Sequence, residues 1–434
     1  MKKITTVILA AGKSTRFKSN RSKIFHEISD RPVLDYVFSL AKKISKENIV
    51  IVCNKDNQQY IKKHYQKCKI AWQKNIKGTA EAVLKSKQYI PRTNDILILF
   101  GDVPFVKENT IKRLIKSYRL SKNKASMLAF NAKNPFGYGR VETKGKNVIR
   151  VTEELNADNT IRKIPLCNSG IMLCNYNLLF SNIDKISDKN AKKEKYLTDL
   201  FYIAYQANKS FVFSICAEDE LQGINTREEL SKADASMQKI LKSKLMNKGV
   251  TILQPDTVRV SYDTKIGKDS IIEAFVIIKK GVTLGNNIVV KSHSVIESCK
   301  VGNFSTIGPS ARIRPKSIIG TKVKIGNFVE IKNSVIGNST SISHLSYIGD
   351  SQLGKRVNIG AGTITCNFDG KNKNKTIIKD NVFIGSNTSL IAPITIKENA
   401  IIGAGSVITK NIPSNSLAIE RSPLKIVKKY TKHR

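Results

Sequence analysis

Close to its N-terminus the chain carries residues suited to binding phosphate. Val7-Ile8-Leu9 reads as a buried parallel strand and runs directly into Ala10-Ala11-Gly12-Lys13-Ser14-Thr15-Arg16. Small residues in such a turn let backbone N–H groups approach phosphate oxygens. Lys23, in Arg21-Ser22-Lys23, adds charge to the same place. Gly12-Lys13-Ser14 imitates the end of a kinase-type phosphate loop, but the first glycine of that motif would fall at Val7, so the motif is rejected. A carboxylate complements the cationic turn. Asp95–Phe100 reads as a strand that ends in Phe100-Gly101-Asp102-Val103-Pro104. An acid at the C-terminal end of a parallel strand sits where open α/β sheets bind ligands, and Asp is a good Mg²⁺ ligand beside phosphates. Gly78-Thr79, Gly137-Tyr138-Gly139-Arg140, Asn168-Ser169-Gly170 and Gly223-Ile224-Asn225 supply further small or polar loop positions. Each alone fits a structural turn as well as a site.

These positions require an α/β domain, with Asn48–Cys53 as another of its strands. Thr226-Arg227-Glu228-Glu229 then forms a capping box, the start of a helix. Leu230, Ala233, Met237, Ile240, Leu241 and Leu245 give that helix one apolar face, read as packing, and Gly249 stops it.

From Ile266 the pattern changes. An aliphatic residue returns at every sixth position: Ile266, Ile272, Ile278, Leu284, Val290, Ile296. After a slip of five the count continues at Val301 and runs to Ile331. It slips again to Ile336, Ile342 and Ile348, then to Leu353 and Ile359, and resumes from Ile378 to Ile408. A small or β-branched residue tends to follow four positions later, as at Thr363, Thr388 and Ser406. A period of six is neither a helix nor a simple strand alternation. It describes short strands joined by tight turns, whose aliphatic side chains stack coil on coil. Residues 365–377 interrupt the count with a polar, basic insertion, of the kind that lies on a binding face of a solenoid. The expected fold is therefore α/β plus all-β: a Rossmann-like domain over 1–226, a linker helix over 227–248, and a parallel β-helix of hexapeptide repeats with a C-terminal tail over 249–434.

Composition bounds the function. A hydrophobic fraction of 41% fits a folded chain. No apolar run reaches the ~18 residues of a transmembrane helix, and the basic start Met1-Lys2-Lys3 precedes a run too short for a signal peptide. A cytoplasmic location without membrane contact is expected. The seven cysteines include no Cys-x-x-Cys pair, so reduced thiols are expected rather than a disulfide framework or a zinc site. The net charge of +40 is spread along the chain with no recognisable nucleic-acid motif; no nucleic-acid partner is expected, although the field should attract anionic substrates.

Taken together the motifs resemble the bacterial bifunctional N-acetylglucosamine-1-phosphate uridyltransferase / glucosamine-1-phosphate acetyltransferase family, over essentially the whole length. Leu9-Ala10-Ala11-Gly12-x-x-Thr15-Arg16 is similar to the family's nucleotide turn, and Val357–Asn367 to its acetyltransferase segment. The resemblance implies that the β-helix is left-handed and that the first domain is a nucleotidyltransferase. That domain would use UTP and Mg²⁺ to make UDP-N-acetylglucosamine. Asp102 and Asn225 would hold the metal, and Arg16 and Lys23 would stabilise the phosphates. Leu9, Ala10, Ala11, Gly12, Gln73, Gly78, Thr79, Phe100, Gly101, Gly139, Glu153 and Asn168 would complete the binding site, with Lys195-Tyr196-Leu197-Thr198-Asp199 lining its sugar pocket. In the β-helix, acetyl-CoA would acetylate glucosamine 1-phosphate. The resemblance makes His344, in Ser343-His344-Leu345-Ser346-Tyr347, the general base. It assigns Arg314, Lys332, Tyr347 and Asn358 to the sugar phosphate, and Ala361, Asn367, Phe368, Ser386, Ala404 and Arg421 to coenzyme A. A homotrimer is implied. Two residues depart from the pattern: Ser14 replaces a usual Gly, and Phe368 a usual Tyr. Against this stand three other readings: a single-activity nucleotidyltransferase with a purely oligomerising β-helix, a non-catalytic scaffold, and a nucleic-acid binder. A coenzyme A-dependent acetylation assay separates the first from the bifunctional reading.

Overall fold

The computed structural model describes residues 3–75, 77–190, 193–428 and 430. Met1 and Lys2 of the basic start, and residues 431–434 of the tail, lie outside the described residues. The chain divides into two compact units, Met1–Asp234 and Ala235–Arg434. The division falls inside the linker helix rather than at 226.

The first unit is built on a nine-stranded mixed sheet. Its strands are β1 (Ile4–Leu9), β2 (Ile49–Cys53), β3 (Lys69–Trp72), β4 (Asp95–Phe100), β5 (Ala125–Asn131), β6 (Arg140–Lys144), β7 (Asn147–Thr152), β8 (Leu166–Asn175) and β9 (Val212–Ile215). Their order is β3-β2-β1-β4-β8-β5-β9-β7-β6. β1 lies parallel between β2 and β4, with Leu9 beside both Val52 and Phe100. Strand alternation divides the apolar residues between two cores. Val7, Val50, Val52, Ile96 and Ile98 enter one, and Ile8, Ile49, Ile51, Leu97 and Leu99 the other. Both faces are covered, which explains the unbroken apolar runs of β1, β2 and β4. The C-terminal ends of β1 and β4 then emerge side by side, so the turn after Leu9 and the acid after Phe100 become neighbours.

The linker helix spans Arg227–Met246. The capping box is reciprocal: Thr226 Oγ1 accepts from the Glu229 N–H at 3.1 Å, and Glu229 Oε2 from the Thr226 N–H at 3.0 Å. Ala233, Met237 and Leu245 are buried as expected, but Ile240 is 52% exposed and leaves the expected face. Buried Gln238 and Lys242 hold the first coil instead. Gln238 bonds both the N–H and the C=O of Val260, and Lys242 reaches the carbonyls of Pro255 and Val258.

The second unit is a left-handed parallel β-helix with sheets of ten, nine and eight strands among the described residues. Every aliphatic residue of the hexad count is buried, from Ile266 to Ile408, and joins one continuous core. Thr363, Thr388 and Ser406 are buried with them. All three slips of five (296→301, 331→336, 348→353) carry the chain from the nine-stranded to the eight-stranded sheet, so they are one corner turned with one residue fewer.

Candidate active sites

Two buried asparagines shape the phosphate turn. Asn54 Nδ2 donates to the carbonyl of Ala11 at 3.0 Å, and Asn57 Nδ2 to that of Ala10 at 2.6 Å. A trans peptide points its N–H opposite to its C=O, so binding these carbonyls aims the next N–H groups outward. Asn54 and Asn57 also form the reciprocal cap of the helix Lys55–His64, which fixes both side chains. Ser14 adopts φ 56° and ψ 23°, the left-handed region. Its hydroxyl accepts from the Lys23 N–H at 3.3 Å.

This turn borders a cavity of about 500 Å³. Leu9, Ala10, Ala11, Gly12, Lys23, Gln73, Gly78, Thr79, Phe100, Asp102 and Glu153 line it, as do Ser22, Glu194 and Tyr196. Arg16 and Asn225 line an adjoining cavity of about 220 Å³ that shares Gly12 to Thr15 and Lys23. Gly101 contributes backbone, its N–H donating to the Leu9 carbonyl at 2.9 Å. Gly78 has φ 105° and packs so closely on the Lys195 backbone that a Cβ would fall 2.4 Å from its carbonyl oxygen. Glu153 connects this cavity to further predicted residues that do not line it: its carboxylate lies against Gly139, whose carbonyl accepts from the Asn168 N–H at 2.8 Å, and its Oε1 accepts from Thr198 Oγ1 at 2.9 Å. Burial and the nearby Glu153 carboxylate raise the pKa of Asp199. Glu153 and Glu194 thus present carboxylate oxygens to the cavity.

Asp102 and Asn225 converge although they lie far apart in sequence. The Ile224 N–H donates to the Asp102 carbonyl at 3.0 Å, and Glu229 Oε2 accepts from the Asn225 N–H at 2.6 Å. The Lys23 ammonium lies between the two side chains, in contact with Asp102 Oδ2 and 2.7 Å from Asn225 Oδ1. Two hard oxygens already arranged around a cation fit Mg²⁺, which typically takes one or two carboxylates and completes its shell with water and phosphate. Among the described residues no cluster of three His, Cys, Asp or Glu could hold a metal without such help.

In the β-helix, His344 Nδ1 lies 2.7 Å from Asn327 Oδ1. An amide oxygen only accepts, so Nδ1 carries a hydrogen, and in the neutral ring the lone pair then falls on Nε2. Arg314 donates to Glu330 at 2.7 Å, and this bond raises the pKa of the guanidinium. Glu330 pairs in register with Tyr347, as does Ser341 with Asn358. The Tyr347 ring folds over Gly349, where a Cβ would meet its hydroxyl at 2.4 Å. Lys373, from the insertion, meets Lys332, and their side-chain hydrogen bond together with the like charge lowers the pKa of Lys373. Phe368 pairs with Lys373 across the insertion and is 60% exposed. Asn367 lies at the base of the insertion and donates to Asp350. Ala361, Ser386 and Ala404 occupy equivalent positions on successive coils, linked by Asn387 N–H to Ala361 at 2.7 Å and Gly405 N–H to Ser386 at 2.8 Å. Arg421 lies beside Gly403 and Gly405.

Comparison with known proteins agrees with this architecture. Residues 6–165 match the MobA-like NTP transferase domain, and 263–298 and 375–410 the bacterial transferase hexapeptide repeats. Residues 295–368 match the GMPPB C-terminal domain. The bifunctional protein GlmU of Bradyrhizobium sp. (strain ORS 278) is 41% identical, covering 96% of this chain and 94% of its own. GlmU of Thermosipho africanus is 40% identical over 98% and 96%, and that of Syntrophomonas wolfei 36% identical over 97% and 98%. The chain belongs to the GlmU family. It is accordingly a bifunctional transferase, which makes UDP-N-acetylglucosamine by acetyl and uridylyl transfer.

Several residues of the candidate sites carry no signal in the sequence. Asn54 and Asn57 carry no motif of their own. Asn327 and Glu330 lie one coil, seventeen residues, before His344 and Tyr347, so counting back one turn of the solenoid would have found them. All seven cysteines are free, five of them buried.

Proposed function

We propose that each unit carries one of the two transfers, at the residues assembled above. In the β-helix, His344 Nε2 takes a proton from the amine of glucosamine 1-phosphate. The neutral nitrogen attacks the thioester carbonyl of acetyl-CoA, the C–S bond breaks, and the proton shed by the nitrogen as the amide forms goes to the sulfur, so that coenzyme A leaves as the thiol. Asn327 holds the imidazole in the required tautomer. Arg314, Lys332, Tyr347 and Asn358 bind the sugar phosphate, while Ala361, Asn367, Phe368, Ser386, Ala404 and Arg421 receive the coenzyme.

In the first unit, a phosphate oxygen of N-acetylglucosamine 1-phosphate attacks the α-phosphorus of UTP, and pyrophosphate departs. Here positioning and charge neutralisation do most of the catalysis. Arg16, Lys23 and the turn N–H groups receive the phosphates; Gln73, Gly78 and Thr79 the uracil; Gly139, Glu153 and Asn168 the sugar. Asp102 and Asn225 would hold Mg²⁺, which when bound would supply Lewis-acid charge stabilisation.

The reading rests on one observation: each unit holds its own converged set, Lys23–Asp102–Asn225 in one and Asn327–His344 in the other. Single substitutions test it. With glucosamine 1-phosphate and N-acetylglucosamine 1-phosphate supplied in separate assays, Asp102→Asn should abolish pyrophosphate release from UTP and the acetylated sugar and spare thiol release, and His344→Ala should do the reverse. Loss of both activities in either variant would contradict the division. The protein is proposed to act in the cytoplasm as a homotrimer. Support for the trimer comes from Phe383, Ile401 and Leu417, which pair in register on successive coils and face outward. No helix among the described residues is long and apolar enough to cross a membrane.

A further inference from the structure

The geometry points to an exchange of cations at the first site: the Lys23 ammonium occupies the metal position of the free enzyme and must leave before Mg²⁺ enters. The inference rests on the assignment of Asp102 and Asn225 as metal ligands. Lys23 Nζ contacts Asp102 Oδ2 and lies 2.7 Å from Asn225 Oδ1. Both charged side chains are largely buried, at 12% and 19% exposure. Mg²⁺ binds oxygens at ~2.1 Å, so a metal on these same oxygens would stand within a few ångströms of the ammonium. In so sheltered a place that repulsion is strong.

Lys23 has another partner within reach. Its backbone N–H is tied to Ser14 in the phosphate turn, so the side chain can swing while its root stays fixed. It lines both the main cavity and the adjoining one that holds Arg16. Triphosphate arriving at the turn offers the ammonium a new anion. Asp102 and Asn225 are then released to the metal. Nucleotide and metal therefore bind cooperatively, and without phosphate the enzyme holds its metal weakly, because the competent state is scarce. While it waits, Lys23 keeps the buried Asp102 carboxylate compensated.

Mn²⁺ binding to the nucleotide-free full-length protein, followed by electron paramagnetic resonance, tests this directly. Lys23→Met should bind Mn²⁺ roughly tenfold tighter than wild type, or more. Lys13→Met removes an equal charge from the neighbouring phosphate turn without freeing either oxygen, and should stay within about twofold. A Lys23→Met variant no tighter than Lys13→Met overturns the exchange. The wild-type protein gives a second test that does not depend on a variant folding. Saturating Mn²⁺ should raise acetylation of Lys23 by an amine-reactive ester, read by peptide mass spectrometry; unchanged labelling overturns the exchange. Adding Asp102→Asn to Lys23→Met separates the two levels. If Mn²⁺ binding is then undiminished, the ligand assignment itself is wrong.

Discussion

Ser14 shows how one residue can carry both strain and its compensation. A non-glycine side chain in the left-handed region costs about 1 kcal/mol. The hydroxyl offsets that cost by accepting from Lys23, a bond worth about 1 kcal/mol net. Ser14→Gly should therefore melt close to wild type, whereas Ser14→Ala keeps the strain, loses the bond and should be about 1 kcal/mol less stable. Thermal unfolding of the three proteins decides the order. Asn327 acts through His344. Asn327→Ala should slow acetyl transfer about tenfold, less than the ~100-fold or greater loss for His344→Ala, with pyrophosphate release from UTP and supplied N-acetylglucosamine 1-phosphate unchanged in steady-state assays. Asp199 gives a pH signature. Its carboxyl pKa is raised by burial and by Glu153, so the folded state binds its proton more tightly than the unfolded chain. The stability this adds is full below the unfolded value of about 3.9 and lost as pH rises through the folded value. Asp199→Asn should then be more stable than wild type at neutral pH, and the gain should vanish at low pH in a melting series. Residue types told Asp102 and the phosphate turn from the sequence. They did not tell Asn57 or Asn327, because a side chain that orients another residue has no chemistry of its own to betray it.

At the scale of elements, periodicity was the readable quantity. The hexads placed each coil because one inward side chain per strand is a geometric necessity of so narrow a solenoid. Truncating one should leave a cavity with little room to collapse. Ile331→Ala is expected to cost 2–5 kcal/mol, measured as earlier loss of acetyl transfer than of uridylyl transfer on heating. The linker helix was read less completely. Its cap was evident from Thr226 and Glu229, but Ile240 fell outside the buried face. Gln238 and Lys242 took up backbone groups of the first coil, and a hydrophobic pattern does not register polar anchors of that kind. The insertion at 365–377 was visible as a break in the count, while its pairing of Phe368 with Lys373 required the structure.

For the whole molecule, the charge of +40 is spread along the chain, and its positive field should draw in anionic substrates such as nucleotides and sugar phosphates. Phe383, Ile401 and Leu417 form an outward apolar strip. A charged Ile401→Lys variant should weaken the proposed trimer, visible as a lower mass by light scattering. The central claim, two transfers in sequence within one chain, meets its most direct test in an omission assay. Purified protein receives glucosamine 1-phosphate, acetyl-CoA, UTP and Mg²⁺, each left out in turn, while free thiol and pyrophosphate are followed separately. Thiol release should require the amino sugar, and pyrophosphate should then require UTP, Mg²⁺ and prior acetylation. Pyrophosphate only from a supplied acetylated sugar, with thiol never released, would contradict the account and leave the β-helix without chemistry.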